Sequence, residues 1–385
     1  MKIHNVQSVL GRRALIERCV HKTLTHVGTY SLDENVASLR HCENMIGVTQ
    51  VPLGIAGPLK MKNLELRMKN YYIPLATTEG ALVASVNRGC KAITNSGGAI
   101  VDSYEVGSTR GPVFYVKNLQ KNKQLNVFID SHLKEMQTLA QSTSRHIALT
   151  KVFAQGVGQY RYVRFIYDTK DAMGMNMVTI ATDAIVRFIE DKTGIPCISL
   201  SGNYCVDKKP SWLNFIEGRG SKVWAETVIS EKVLQETLKS TAEKIYNVWL
   251  SKCMMGSAMS GSIGFNAQYA NILAAIFLAT GQDIAHTTEC STGITTAEIR
   301  GKDLYMSVYL PDLFVGTVGG GTELATQKEA LHILGVCGGN DGKNKKRFAE
   351  IIAGAVLAGE LSLLASLSEG TLAKAHQQLA RKKII

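Results

Sequence analysis

Ile195-Pro-Cys-Ile-Ser-Leu-Ser-Gly-Asn-Tyr-Cys-Val-Asp-Lys-Lys-Pro210 divides into an apolar half and a polar half. Ile195 to Leu200 reads as a buried strand between Gly194 and Pro210. Ser201, Asn203, Asp207, Lys208 and Lys209 then crowd the place where that strand ends. A buried lysine needs a partner, and Asp207 alone cannot serve two. By itself the polar half is a solvated loop with a lysine pair, or one wall of a site.

Working upstream, the strand closes a pattern that opens at Pro112. Val113 to Val116 is a strand. Leu125 to Ala140 carries Leu125, Phe128, Ile129, Leu133, Met136 and Leu139 at helical spacing. Residues 147–153 and 160–167 are strands joined through Gly156-Val-Gly158, a hairpin signal. Met177, Ile180, Ala181, Ala184, Ile185, Phe188 and Ile189 share one helical face. The order is βαββαβ, the ferredoxin-like arrangement, over an insert at 112–200.

Further upstream, residues 1–40 read as a polar helical segment. Val51-Pro-Leu-Gly-Ile-Ala-Gly-Pro-Leu59 reads as turns and short strands. In Pro74-Leu-Ala-Thr-Thr-Glu-Gly80, Thr77 or Thr78 suits a helix N-cap, with Glu79 in the first turn. Glu79 is then a dipole-favoured carboxylate or a functional acid. Asp171-Ala-Met-Gly-Met-Asn-Met177 precedes the insert's second helix, where N–H groups bind phosphate and Gly174 admits a ligand to the backbone. Asp171 is equally an ordinary N-cap there, and methionines are commonly core filler.

Downstream, Phe215-Ile-Glu-Gly-Arg-Gly220 is a glycine-punctuated turn, and Leu234, Leu238, Ala242, Ile245 and Trp249 mark a long helix. Asn266 to Ala279 is a buried helix that delivers Gln282-Asp283 at its C-terminal end. An acid there opposes the helix dipole, and a locally disfavoured residue is a functional candidate. Val315-Gly-Thr-Val-Gly-Gly-Gly-Thr322 is glycine-rich but has neither dinucleotide-fingerprint nor P-loop spacing. Helices at Phe348–Ser368 and Leu372–Arg381 close the chain.

Composition narrows the partners. The net charge of +11 favours anionic ligands, but the basic residues are scattered and no basic stripe interleaves with aromatics, so nucleic acid is not expected. The eight cysteines include no CxxC and no histidines at ligand spacing; buried free thiols are expected and no metal site. With no apolar signal core and no bilayer-length apolar run, the expectation is a cytoplasmic protein with no membrane partner.

Taken together and in order, Glu43-Asn-Met-Ile-Gly47, the Pro74–Ser85 stretch, Asp171–Met177, Ser201–Pro210, Gly281-Gln-Asp283 and Gly316–Thr322 resemble the 3-hydroxy-3-methylglutaryl-CoA reductase family, from about Glu43 to Arg381. The Asp171–Met177 stretch resembles its class I form, in a soluble version without the membrane anchor of animal and fungal members. The resemblance implies an α+β fold. A large helix-rich substrate and CoA domain, discontinuous as 41–111 and 201–385, would carry the insert at 112–200 as its NADP-binding domain, with 1–40 as a small N-terminal helical segment. It implies a homo-oligomer, dimer or tetramer, with active sites between subunits.

The implied reaction is the reduction of HMG-CoA to mevalonate and free CoA, in the mevalonate pathway, with two NADPH per turnover. An NAD-dependent, mevalonate-degrading member working in the oxidative direction is the alternative. The resemblance assigns catalytic roles to Lys208 (oxyanion), His376 (proton for the CoA thiolate), Glu79 (proton for the second reduction, held protonated by burial or neighbours) and Asp283 (bridging Lys208 and Glu79). It assigns substrate binding to Arg110, Ser201, Asn203, Asp207, Lys209, Lys252 and Asn271, and CoA binding to Ser85, Asn87, Arg88 and Lys239. Ser144 and Arg145 match the pair that reads the NADPH 2′-phosphate, with Asp171, Met173, Gly174, Met175 and Asn176 near the nicotinamide. Two departures stand out: His146 replaces a usual Phe, and Gln268 a histidine that commonly helps hold substrate.

Overall fold

The computed structural model describes residues 6–63 and 68–370. The chain opens with α1 (Val9–Val20) and α2 (Glu34–Arg40), N-capped by the side chains of Ser8 and Asp33. Then come β1 (Leu53–Asn63), β2 (Lys69–Ala76), α3 (Leu82–Asn95) and β3 (Ala99–Arg110). The insert follows as β4 (Val113–Tyr115), α4 (Leu119–Ser131), α5 (Leu133–Thr143), β5 (Ala148–Val157), β6 (Tyr160–Asp168), α6 (Met175–Thr193) and β7 (Cys197–Ser199). The return section holds α7 (Trp212–Glu217), β8 (Gly220–Ile229), α8 (Glu231–Val233), α9 (Ala242–Val248), α10 (Ser257–Ser260), α11 (Tyr269–Thr280) and α12 (Thr287–Cys290). It ends with β9 (Ile294–Arg300), β10 (Asp303–Leu313), α13 (Ala325–Leu334) and α14 (Lys343–Ser368).

Within the insert the strands lie β7-β4-β6-β5, all antiparallel, which is ferredoxin-like topology. β6 outruns β4, and its last residues pair instead with β3, Ser108 opposite Tyr167 and Arg110 opposite Phe165. From β3 the sheet continues antiparallel through β8, β10 and β9. The two sheets therefore share backbone hydrogen bonds, and the end of β3 joins them.

α14 packs on β3, β8 and β10 and crosses α3. Its most apolar stretch has a mean hydropathy of 1.8 and is 83% buried inside the protein. A helix apolar all round is stable only when surrounded, so this is the core helix of the large unit. Where it meets α3, a Cβ on Gly89 would lie 1.9 Å from the Ala358 carbonyl oxygen, so the two backbones touch. Separate apolar clusters fill the large unit, the insert and the N-terminal segment.

Several local expectations change. The expected buried strand at Ile195–Leu200 shortens to Cys197–Ser199 and is an edge, paired only with β4, which leaves Ile198 55% exposed. The helix expected over 125–140 is two helices broken at His132, whose backbone leaves the helical region (φ −113°, ψ 25°) while its ring stacks on Phe128. The long helix through 234–249 is interrupted at Lys239, in the left-handed conformation, and restarts behind the Thr241 cap. The Val51–Leu59 run belongs mostly to the single strand β1, its irregularity confined to a register shift between Ala56 and Leu59. Neither Thr77 nor Thr78 caps α3. Thr77 Oγ1 accepts from the Glu79 N–H, so Glu79 lies in a turn before the helix. All eight cysteines are unpaired, but Cys19 and Cys42 are exposed rather than buried.

Candidate active site

The loop after β7 is conformationally strained. Asn203, Val206 and Lys208 all have positive φ, at 61°, 50° and 59°. For a β-branched residue such as Val206 that backbone costs about 1–3 kcal/mol and needs surroundings that hold it. They are present. The Tyr204 carbonyl accepts from Arg164, the Cys205 carbonyl from Thr109 Oγ1 and the Val206 carbonyl from Asn214 Nδ2. Cys205 is fully buried and Val206 nearly so. The buried middle anchors the loop and leaves Lys208 and Lys209 at its outer end.

The charge problem posed by Asp207 and two lysines is solved by other partners. Asp207 Oδ1 accepts from Arg219 Nη2 at 2.9 Å, while Lys208 Nζ reaches Asp283 Oδ2 at 2.8 Å. Lys209 Nζ donates to the Asp207 carbonyl at 3.2 Å and is exposed. Arg219 is wholly buried and also bonds Glu289 Oε1 at 2.5 Å; its guanidinium lies over the Phe314 ring. Glu289 takes further bonds from Asn214 Nδ2, the Lys208 N–H and His286 Nδ1. Asp207, His286 and Glu289 bring three donor atoms within 4.8 Å of one another, but Arg219 already supplies the cation to both carboxylates.

Asp283 follows the Gly281 turn at the end of α11, yet it faces a helix start as well. Its Oδ1 accepts from the Ala285 N–H, capping the single turn Ile284–His286. Partial burial raises its carboxyl, but the bonds from Lys208 and Ala285 and the nearby His286 outweigh this and hold it below the usual carboxylate range.

Glu79 stands apart from that pair. It is exposed, and its side-chain contact is with Asn271 Nδ2 at 3.5 Å. The structure thus joins Lys208 with Asp283, and Glu79 with Asn271; of the two means expected to keep Glu79 protonated, burial or neighbours, burial is not found in one chain. Asn271, Lys252 and Gln268 line a groove of about 760 Å³ that Pro210, two residues after Lys208, also borders. Gln268 Nε2 donates to the Gly359 carbonyl of α14, which fixes that side chain in the groove wall. Beneath it, buried Glu360 accepts from the N–H groups of Ala267 and Gln268 and from Thr295 Oγ1. Arg110 ends β3 with a buried Nε that has no hydrogen-bond partner. Ser201 and Asn203 are exposed at the start of the strained loop.

On the insert, Ser144 and Arg145 follow α5. The Ser144 hydroxyl contacts Met177 Sδ at 3.7 Å, which brings this turn to the start of α6. Gly174, at φ 86°, starts α6 without a side-chain cap, and a Cβ there would strike Thr169. Asn176 is exposed, Met175 Sδ lies against Arg219, and the Met173 carbonyl accepts from Ser108. Asp171 faces inward. Its carboxylate accepts four backbone N–H groups, from Asn340, Gly342, Asn344 and Lys345, at the start of α14. Thr317 N–H bonds the Asp171 carbonyl, so the glycine-rich loop packs on the same turn.

Of the CoA set, Lys239 is exposed, whereas Arg88 bonds Ser362 and Ser366 on α14, Ser85 meets the Ser362 hydroxyl, and Asn87 Oδ1 accepts from the Gly57 N–H. His376 lies outside the described residues.

The sequence reading passed over Arg219, Glu289, His286 and Asn214. Two signals existed: an arginine between glycines at Gly218-Arg-Gly220, and the i, i+3 pair His286 and Glu289 just after Asp283.

The chain matches the family described as hydroxymethylglutaryl-coenzyme A reductase over residues 8–381. It is 48% identical to 3-hydroxy-3-methylglutaryl-coenzyme A reductase of Pyrococcus abyssi, over 99% of this chain and 97% of that one. The enzyme of the same name from Methanothermobacter thermautotrophicus is 50% identical over 97% and 94%. That of Xenopus laevis is 44% identical over 89% of this chain and 39% of the longer relative. Among solved structures, the class II reductase from Streptococcus pneumoniae bound to NADPH superposes with a TM-score of 0.68 at 19% identity, covering 94% of this chain and 98% of that one.

Proposed function

The chain belongs to the hydroxymethylglutaryl-coenzyme A reductase family of oxidoreductases, and on that premise we propose that it carries out the NADPH-dependent four-electron reduction of 3-hydroxy-3-methylglutaryl-CoA to mevalonate and free CoA. The observation that carries this reading is the Lys208–Asp283 ion pair at the end of a strained, internally anchored loop. Each reduction turns a carbonyl oxygen into an oxyanion. The Lys208 ammonium, fixed by Asp283, stabilises that charge most where water is excluded. Glu79 supplies the proton for the final alkoxide and His376 the proton for the CoA thiolate.

Arg110, Lys209 and Lys252 hold the substrate carboxylate, with Ser201, Asn203, Asp207 and Asn271 completing the pocket. Lys239 is the exposed cation for CoA phosphates, with Ser85, Asn87 and Arg88 along α3. The residues of the insert fit a phosphorylated dinucleotide: Arg145 is exposed, and the uncapped start of α6 offers its N–H groups to an anion. Ser144 and Arg145 would hold the 2′-phosphate. Met173, Gly174, Met175 and Asn176 would line the nicotinamide end, and Asp171 would act by anchoring their turn. When bound, NADPH supplies the hydrides, one for each of the two reductions. Because Glu79 is exposed in one chain, a homodimer that closes over it completes the site.

The test is oxidation of NADPH on adding the thioester, with mevalonate identified as product and NADH run in parallel. Absence of turnover by folded, dimeric protein overturns the proposal. Reduction of NAD+ on adding mevalonate and CoA, faster than reduction of NADP+, reverses its direction.

A further inference from the structure

Behind Asp283 lies a histidine that no described surface reaches. His286 is fully buried, its ring edge-on to Phe314 at 5.0 Å. Its Nδ1 bonds Glu289 Oε1, an oxygen that also takes Arg219 and the Lys208 N–H. A carboxylate already paired with a guanidinium only accepts, so Nδ1 carries a proton. On the other side Nε2 lies 3.7 Å from Asp283 Oδ2, the oxygen that holds Lys208, and it has no hydrogen-bond partner. A bare Nε2, itself shielded from water, would aim its lone pair at a carboxylate oxygen, whereas an N–H there is attracted to it.

Resting on the assignment of Lys208 and Asp283 to the reducing site, we propose that His286 is a positioning residue, oriented by Glu289 and protonated on both ring nitrogens, that holds Asp283 in place when Lys208 turns toward the substrate oxygen. Asp283 Oδ1 is tied to the Ala285 N–H, so the carboxylate is fixed at one oxygen and exchangeable at the other. Oδ2 faces two nitrogens, Lys208 Nζ in contact and His286 Nε2 just beyond hydrogen-bond reach. As Lys208 leaves, a small rotation of the carboxylate brings Nε2–H into contact, and Asp283 keeps a partner. Five charged groups surround the ring and its partners. Asp283, Glu289 and Asp207 (3.8 Å from Nδ1) are acids, and Lys208 and Arg219 are cations. The acids therefore face the imidazole directly, and the cations reach it through them.

The experiment compares His286→Gln and His286→Phe with the parent enzyme in steady-state reduction of HMG-CoA. Expected is a fall in kcat of roughly tenfold or more in His286→Phe, the scale typical of losing an orienting partner, with KM within about twofold. His286→Gln, which keeps a donor, recovers part of the loss. Unchanged kcat in both folded variants overturns the proposal. So does an equal loss in the two, which would mark the ring as packing alone. In parallel, nitrogen-15 spectra of the unaltered protein at pH 7 read the His286 ring directly, which decides the matter if neither variant folds. Both ring nitrogens protonated is the expected result, and a bare Nε2 overturns it. If the unaltered protein shows no turnover, the reductase assignment fails on its own, while the ring spectrum still reports on the His286–Asp283 contact.

Discussion

Lys208 Nζ lies 2.8 Å from Asp283 Oδ2, so the cation ending one loop is held by the acid that follows α11. Removing that cation by Lys208→Met should lower the rate of thioester reduction by about 10²–10³-fold, the scale of a lost oxyanion donor. Stability should change little, because both side chains are half exposed and such pairs contribute modestly. Single-turnover kinetics alongside thermal melts separate the two effects. A variant that melts early and loses rate only in proportion to its folded fraction would contradict the assignment.

The buried cation Arg219 behaves oppositely. Arg219 is fully buried and bonds Asp207, Glu289 and Thr109 Oγ1 together. Arg219→Met takes the cation away from buried Glu289 and partly exposed Asp207, which should destabilise the fold by about 3–5 kcal/mol. Urea denaturation reads this directly. A loss under about 1 kcal/mol would mean that water already reaches the acids.

These two contrasts show what the sequence makes legible. The βαββαβ order of the insert was readable because helical and strand periodicities alternate cleanly between Val113 and Ser199. The breaks at His132 and Lys239 were not, since each lies in one residue's backbone angles, non-helical at His132 and left-handed at Lys239, that periodicity does not register. Lys208 and Asp283 stood out because each violates a local rule, and the structure brings them together. Arg219, Glu289 and His286 violate none. His286 and Glu289 pair locally, but what joins them to Arg219 is how the start of β8, α12 and the loop at 201–209 meet in three dimensions. Asp171 was visible at a helix start, but its four bonds run to the start of α14, a destination that only the fold supplies.

The α3–α14 crossing gives a prediction decided by magnitude. Gly89→Ala gains about 1 kcal/mol of helix propensity. Against that, the new methyl would fall 1.9 Å from the Ala358 carbonyl oxygen, and backbone cannot swing aside as a side chain does. Overpacking of this kind costs about 3 kcal/mol. The net effect is destabilising by roughly 2 kcal/mol, visible as a lower urea midpoint at unchanged slope. A midpoint equal to or above that of the parent would show that the two helices separate freely.

The last prediction concerns pH. Asp312 is fully buried, with Oδ1 bonded by Thr292 and Oδ2 unpartnered. Burial pushes its carboxyl well above the usual range and Glu289 adds to the rise; the Thr292 bond, Arg219 and Arg164 pull the other way without cancelling it. As pH climbs past about 3.9, the unfolded chain releases this proton while the folded chain keeps it. The native state then binds more protons than the unfolded one, so this group lowers stability steadily with rising pH until the folded carboxyl also ionises. Asp312→Asn keeps an oxygen for Thr292 and removes the titration. The Tm of the variant relative to the parent should therefore rise between pH 4.5 and pH 8. Paired melts across that range test it. A difference independent of pH would mean that Asp312 carries its charge in the folded protein no less readily than in the unfolded chain.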